Sequence, residues 1–510
     1  MSIYRQLPML IAGRAIKRQS IPNLSVEEFQ QAIVESVEAG CRVVSLFGSP
    51  DAGGTLHLYV VLADDSESRL YVGSATLTNR EYPSLTLRCT QVHLFERELA
   101  EQCQVQVTGH PWLKPVRFQP PLFPRLEPGA GAVSGVNPLP GVMDFYAVSG
   151  QEVHEVAVGP VHAGVIEPGH FRFQCHGERV FHLEISLGYQ HRGVEQAILK
   201  GPDKRSIHYA QTLCGDTTIG HTTAYCQVIE GLAKCQKTAR AQTIRAIALE
   251  LERLANHVGD LGALSGDVGF LSTASHCGRL RGEFLNMTAT LCGSRFGRGL
   301  ICPGGVRFDL DAAAVESLLA RLDISGRQTR QAVKLLWNSS SVMARFEEIG
   351  VVSTALAVEL GLVGPAARAC GLARDARHDH PSGLFRFMHI PVSVWDSGDV
   401  FARAYIRWLE IQRSLDFIQT QLRSLPAGAI NSAVGNLAPD HLAVAMVEGW
   451  RGEVCHVALT NASGRFERYK VTDPSFHNWA GLAMALRGAE ISDFPLCNKS
   501  FSLSYCGHDL

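Results

Sequence analysis

The chain's 20 histidines are the side chains best suited to proton exchange near neutral pH, because imidazole is the group whose ordinary pKa lies there. His162 and His170 flank the glycine-containing stretch HAGVIEPGH, and His221 follows Cys214 in the segment Thr212 to Tyr225, TLCGDTTIGHTTAY. Cys214 and the late Cys506 are thiols that could ligate a soft metal once deprotonated. Two thiolates do not complete a coordination sphere. A single metal on Cys214, Cys506 and a histidine therefore stands beside the reading of two packed thiols. His191, Arg192 and Glu195 in GYQHRGVE form another group, since an arginine with a glutamate three residues on can make charge-assisted hydrogen bonds. Arg368, Asp375 and Arg377 read as a buried charged network.

The 14 cysteines invite a disulfide or metal reading, but they are irregularly spaced and no CxxC pair occurs. In a reducing compartment they stay thiols, most of them packed as small hydrophobes.

The elements that carry these residues fall into two regions. In the first, Thr55 to Val61 reads TLHLYVV. Leu56, Leu58 and Val60 lie on one face and His57 and Tyr59 on the other, which predicts a half-buried strand with Arg69 to Leu77 as its hairpin partner. Between Gln119 and Met143 the sequence becomes rich in Pro and Gly and loses periodicity, as a linker does. Beyond Gln151 the pattern is mostly helical. Ile244, Ile247, Leu251, Leu254, Val258 and Leu261 recur at three-and-four spacing, and Phe401, Tyr405, Leu409, Ile411, Leu415, Ile418 and Leu422 do the same after Gly398. Both stripes predict core helices of a large bundle.

At 510 residues the chain is long enough for two or three domains. The 47 basic and 49 acidic residues are dispersed and give a net charge of -2, so nucleic acid is not an expected partner. No apolar run reaches the roughly 18 residues of a membrane span, and the first residues lack the apolar core of a signal peptide. A soluble, cytoplasmic chain is expected, which leaves room for docking on a membrane complex.

An ordered series of motifs carries a family resemblance. FERE at Phe95 to Glu98 and GHPWLKPVR at Gly109 to Arg117 resemble the C subunit of bacterial complex I. From Val158 onward come VGPVHAGVIEPGHFRF, GYQHRGVE, CGDTTIGHTTAY, LELERLANHVGDLG, PGGVR, GLVGPAARACGLARDAR, GDVFAR, EGWRGE and DPSF. In that order they resemble the D subunit of complex I and the large subunit of group 4 nickel-iron hydrogenases. The resemblance implies an α+β N-terminal domain over 1–123, a linker over 124–150, and a mainly α-helical domain of the hydrogenase large-subunit and complex I D-subunit type over 151–510.

What it implies about chemistry is mixed. The hydrogenases hold nickel and iron on four thiolates, written CGxCGxxH early and DPCxxC late. Here only Cys214 is in register: Thr217 stands at the second position, and Ser504 and Gly507 stand at the late pair, with Cys497 and Cys506 out of register. Hydroxyls are poor ligands for low-valent nickel or iron. Cys214 and Cys506 are thus residual metal ligands at most, and no nickel-iron centre is expected. Complex I uses the same cavity for a quinone, with a histidine and a tyrosine. His162 and His170 flank the histidine position, and Gly215 falls at the tyrosine, so the resemblance makes His162, His170 and His221 the candidate catalytic residues. In the family the GYQHRGVE segment approaches a small subunit carrying a 4Fe-4S cluster, so the resemblance would put His191, Arg192 and Glu195 in that cluster's surroundings.

The expected role is an electron-transfer subunit of a membrane-associated oxidoreductase complex. It would be peripheral on the inner face of the cytoplasmic membrane, with a small iron-sulfur subunit, a membrane anchor and antiporter-like subunits as partners and a quinone as the implied ligand. A non-catalytic structural or coupling subunit is the alternative, and an active hydrogenase with altered ligands is the third reading.

Overall fold

The computed structural model describes residues 2–51, 53–124, 139–162 and 166–510. Most of the expected linker, 125–138, and residues 163–165 between His162 and Glu167 lie outside the described residues.

After a two-residue strand at Met9–Leu10, which pairs with Leu70 and Tyr71, come a short strand, β1 (Arg14–Lys17), and helix α1 (Val26–Glu38). Ser25 and Glu28 close a reciprocal capping box at the start of α1, which satisfies two amides the helix leaves unpaired. Strands β2 (Arg42–Pro50), β3 (Leu56–Asp64) and β4 (Arg69–Leu77) follow as an antiparallel meander with β3 in the middle. The hairpin partner expected for β3 is in place. Helix α2 (His93–Cys103) then packs with α1 on one face of this sheet, over Leu56, Leu58, Val60 and Leu62.

The other face of β3 departs from expectation. Tyr59, Val61 and Ala63 are buried as well, because a second sheet covers them. That sheet consists of β8 (His441–Gly449), β9 (Gly452–Thr460) and β10 (Phe466–Thr472), and β1 pairs with β8 to complete it. Strand β1 is thus built into a sheet made by residues more than four hundred positions later. Each fully buried Val or Leu at this sheet-on-sheet contact contributes about 1.5–3 kcal/mol, so the two halves of the chain share one core there.

Strands β5 (Val153–Val158), β6 (His170–His176) and β7 (Arg179–Ser186) form a smaller antiparallel sheet. Helix α3 (Thr218–Leu232) carries His221 and is buried almost throughout. The bundle is centred on α4 (Ala239–Asp267), which packs against α5 (Leu271–Cys292) and α7 (Val400–Arg423), with α6 (Ala312–Trp337) outside. Helix α8 (Pro474–Ala485) and the final turn α9 (Tyr505–Asp509) close the chain.

Both expected helix stripes are present, and charge accompanies them inward. In α4, Arg245, Glu250, Glu252, Arg253 and His257 are buried beside the apolar stripe. In α7, Phe401 and Tyr405 are only half-buried, stacked on each other, while Arg403, Arg407 and Glu410 face the interior. Among the described residues no helix is long and apolar enough to cross a membrane.

Candidate functional site

The turn before α3 and the N-terminus of α9 bring Cys214 and Ser504 together. Ser504 caps α9 by accepting the Gly507 amide at 2.8 Å, the usual role of serine at a helix start. The same hydroxyl lies 3.1 Å from Cys214 Sγ and 3.4 Å from Cys506 Sγ. Cys506, out of register with the late motif in sequence, therefore joins Cys214 through space. The Cys214 thiol is pushed well up by its hydrogen bond to Cys506, by burial and by Asp216, while Cys506 is pulled down by the same bond.

Arg451, from the turn between β8 and β9, completes this cluster. Its guanidinium pairs with both Asp216 oxygens at 2.6 and 2.8 Å, and reaches Thr217 Oγ1 at 3.3 Å and Cys214 Sγ at 3.4 Å. Burial raises the Asp216 carboxyl, but Arg451 outweighs it and holds the group down to about 2. Glu252 of α4 accepts the amides of Ile219 and Gly220 at 2.7 and 3.1 Å, which caps the start of α3 and fixes the loop carrying Cys214.

Gly507, the last position of the late motif, has no room for a side chain. A Cβ there would lie 2.6 Å from the carboxyl carbon of Asp473. Asp473 is held by the Ser475 amide at 2.8 Å and by His221 Nε2 at 3.0 Å. His221 Nδ1 is 3.0 Å from His456 Nε2, and His456 Nδ1 is 2.8 Å from the Tyr469 hydroxyl. One proton arrangement satisfies the whole string: Tyr469 O–H donates to His456, His456 N–H to His221, and His221 N–H to the carboxylate. Burial holds His456 well below its ordinary pKa, consistent with its neutral place in the string.

His162 and His170 occupy the hairpin between β5 and β6. His162 Nε2 binds the Gly169 carbonyl at 3.0 Å, and His170 Nδ1 binds the Gly159 carbonyl at 3.1 Å. Both lock the hairpin to itself. The residue of this hairpin that reaches the thiols is Glu167, which accepts the Tyr505 amide at 3.2 Å and hydrogen-bonds Cys506.

The GYQHRGVE residues diverge. His191 Nδ1 binds the Asp509 carbonyl at 2.8 Å, and Arg192 donates to the carbonyls of Thr212 and Leu213 at 2.5 and 2.8 Å. Arg192 thus ties the Cys214 loop, and through its amide the chain's last carbonyl, to one segment. Glu195 turns inward to Arg468 at 2.9 Å and Lys470 at 3.2 Å, in a cluster that includes Glu98 and Arg117 of the first region.

Arg368, Asp375 and Arg377 do share one buried network. Arg368 pairs with Glu410 at 2.7 Å and Glu448 at 2.8 Å, and Arg377 pairs with Asp375 at 2.6 Å and Glu250 at 3.0 Å. His257 joins it through Glu410 at 2.8 Å, and burial pushes this imidazole down to about 4. Glu167, Arg451 and Asp473 lie in the motifs VGPVHAGVIEPGHFRF, EGWRGE and DPSF, but sequence reading gave them no role, because their partners are far away in the chain. The one local hint was Asp216, two residues from Cys214. Among the described residues no three His, Cys, Asp or Glu side chains converge as a metal site.

Comparison with known proteins places this geometry in context. Residues 267–441 match the family model of the 49 kDa subunit of the respiratory-chain NADH dehydrogenase. The chain is 32% identical over 348 residues to the carbon monoxide-induced hydrogenase of Rhodospirillum rubrum, covering 68% of this chain and 96% of that protein. It is 28% identical over 476 residues to formate hydrogenlyase subunit 5 of Escherichia coli, covering 90% of this chain and 83% of the relative. It is 30% identical over 346 residues to a D-type subunit of the NADH-quinone oxidoreductase of Herpetosiphon aurantiacus, covering 66% and 94%.

Proposed function

Because the chain belongs to the family that unites the 49 kDa subunit of the respiratory-chain NADH dehydrogenase with the large subunits of hydrogenases, we propose that it is an electron-transfer subunit of a membrane-associated oxidoreductase complex and works without a nickel-iron centre. The observation that carries the second half is the closure of position 507 by Asp473. A nickel-iron centre needs four thiolates, and Cys214 alone of the four aligned positions is a cysteine, with hydroxyls at Thr217 and Ser504. The residues present do not fit the metal pair.

A quinone is the ligand class the complex I relatives suggest, and here too the residues depart from the pattern. Gly215 offers no phenol, and His162 and His170 each spend a ring nitrogen on the hairpin's own carbonyls. The part of the chain equipped to respond to a charge change at a neighbouring redox centre is the interior network of Arg368, Glu410, His257 and Glu448, which can shift protons between fixed partners. On this reading the chain pairs with a small iron-sulfur subunit, a membrane anchor and antiporter-like subunits, on the inner face of the cytoplasmic membrane.

The hairpin histidines, each bound to a backbone carbonyl, favour a second reading, a non-catalytic coupling subunit of the same complex. Metal analysis and a hydrogen-uptake assay on the purified complex test the first reading. No stoichiometric nickel is expected, and one nickel per chain with hydrogen-dependent dye reduction would overturn it. Electron transfer through the complex that survives replacement of both His162 and His170 by Ala would favour the coupling role.

A further inference from the structure

The FERE and GHPWLKPVR segments meet β7 and α8 around a cavity of 350 Å³ that contains none of the residues of the Cys214 cluster. Most of its wall is apolar, and includes Leu187, Leu360, Met484 and the indoles of Trp112 and Trp479.

Three charged side chains line this space: Arg97, Arg487, which is exposed, and Glu184, which is already paired with Lys114 at 2.7 Å. Arg97 of α2 donates through Nε to the Lys114 carbonyl at 2.7 Å and through Nη2 to the Pro115 carbonyl at 2.9 Å. Among the described residues its third nitrogen, Nη1, has no hydrogen bond, and no carboxylate lies within ion-pair distance of the guanidinium. Two backbone carbonyls orient the group without neutralising it, and enclosing an uncompensated cation is costly. Burial accordingly pushes Arg97 down to about 10.

Glu184 is matched by Lys114, and the imidazoles of the wall are held down. Burial, reinforced by Arg97, pushes His93 down to about 3, and burial also lowers His182 and His508. Three wall side chains carry polar atoms with no partner among the described residues: His182 Nε2, Ser186 Oγ and Trp479 Nε1. All three can donate a hydrogen bond, and indole can do nothing else. A cavity in which Arg97 has no carboxylate at ion-pair distance, the one wall carboxylate, Glu184, is taken by Lys114, and spare donors sit in an aliphatic and aromatic wall matches a molecule that is anionic at one end and apolar along its body.

We propose that this cavity binds an amphipathic anion, a carboxylate or phosphate on an aliphatic body, with the anionic head on Arg97 Nη1 and the body against Trp112, Trp479 and Met484. The chemistry is shared by free fatty acids and by the head and first methylenes of an anionic phospholipid, and a chain docked beside a membrane meets both.

Calorimetric titration of the purified full chain tests this with decanoate, decanol and dioctanoyl phosphatidylglycerol as probes. Decanoate is expected to bind once per chain and at least about tenfold more tightly than decanol, the gap that one charge-assisted pair supplies. Arg97→Gln should remove that gap and leave decanol binding unchanged. Ala483→Leu, which fills the cavity from α8, should weaken both. Binding of decanoate without phosphatidylglycerol assigns the site to free carboxylates, and binding of phosphatidylglycerol assigns it to lipid. Equal affinities for decanoate and decanol, or an Arg97→Gln chain that still prefers decanoate, would overturn the proposal. If circular dichroism shows Arg97→Gln to be unfolded, the Ala483→Leu chain decides, and undiminished decanoate binding by it overturns the proposal equally.

Discussion

Asp473 and Gly507 claim the same volume: a Cβ on Gly507 would lie 2.6 Å from both the carboxyl carbon and Oδ2 of Asp473. The aspartate cannot easily retreat, since it caps α8 and is tied to His221. Restoring a cysteine at 507 is therefore a packing problem before it is a metal-binding one. Gly507→Cys should destabilise the chain by about 1–3 kcal/mol, the usual range for overpacking. In an Asp473→Ala background the added cost should be smaller, because the two positions couple. Denaturant titration of the four chains measures this, and an equal cost in both backgrounds would show that the two side chains do not compete.

Glu195 offers a test of the join between the two regions. It is enclosed with Arg468 and Lys470, beside Glu98 from α2. Removing one partner of such a cluster leaves buried charge unmatched, at a typical cost of about 3–5 kcal/mol. Glu195→Ala should show that loss in the isolated chain, by chemical denaturation. A change below about 0.5 kcal/mol, as expected for a surface position, would return Glu195 to the role of a partner-facing residue.

Local pattern carried much of the fold. The strand pair β3 and β4, and helices α4 and α7, were legible because alternation and three-and-four spacing are properties of a few neighbouring residues. The pairing of Arg14–Lys17 with His441–Gly449 was not, since nothing in a four-residue strand specifies a partner so distant. For the same reason Tyr59 read as an outer residue, although a second sheet buries it. At the site, the thiol content was legible by register, whereas the meeting of Cys506 with Cys214 depends on how α9 turns on its Ser504 cap. GYQHRGVE read as one unit because its residues are adjacent, yet a tight turn sends His191, Arg192 and Glu195 to three different partners.

His257 should give the chain an acid-side stability slope. Its folded pKa is held to about 4 by burial, against about 6.5 for a free imidazole. The unfolded chain therefore binds the extra proton first. Stability is complete above about pH 6.5 and falls as pH drops toward 4. His477, also lowered to about 4 by burial, acts in the same direction, so one replacement removes only part of the slope. His257→Gln should flatten the fall in melting temperature between those pH values. A slope identical to that of the parent chain would mean that His257 is already protonated in the fold.

The last prediction concerns what remains of the ligand set. Cys214 Sγ donates to Asp216 at 3.0 Å and lies 3.4 Å from Arg451, contacts that a serine hydroxyl can reproduce. Cys214→Ser should leave the turnover of the assembled complex within about twofold, because no step needs its sulfur, and should change stability by about 1 kcal/mol or less. His162→Ala and His170→Ala differ in kind, since each releases a carbonyl that fixes the hairpin bearing Glu167. If those rings also serve proton exchange, turnover should fall by about tenfold or more with assembly intact, toward the lower end of general acid–base effects. Turnover assays with gel filtration of the same preparations separate the two. Loss of activity in Cys214→Ser together with silent histidine replacements would make the Cys214 and Cys506 pair the working centre, by metal or by thiol chemistry, and would end the reading of an idle thiol.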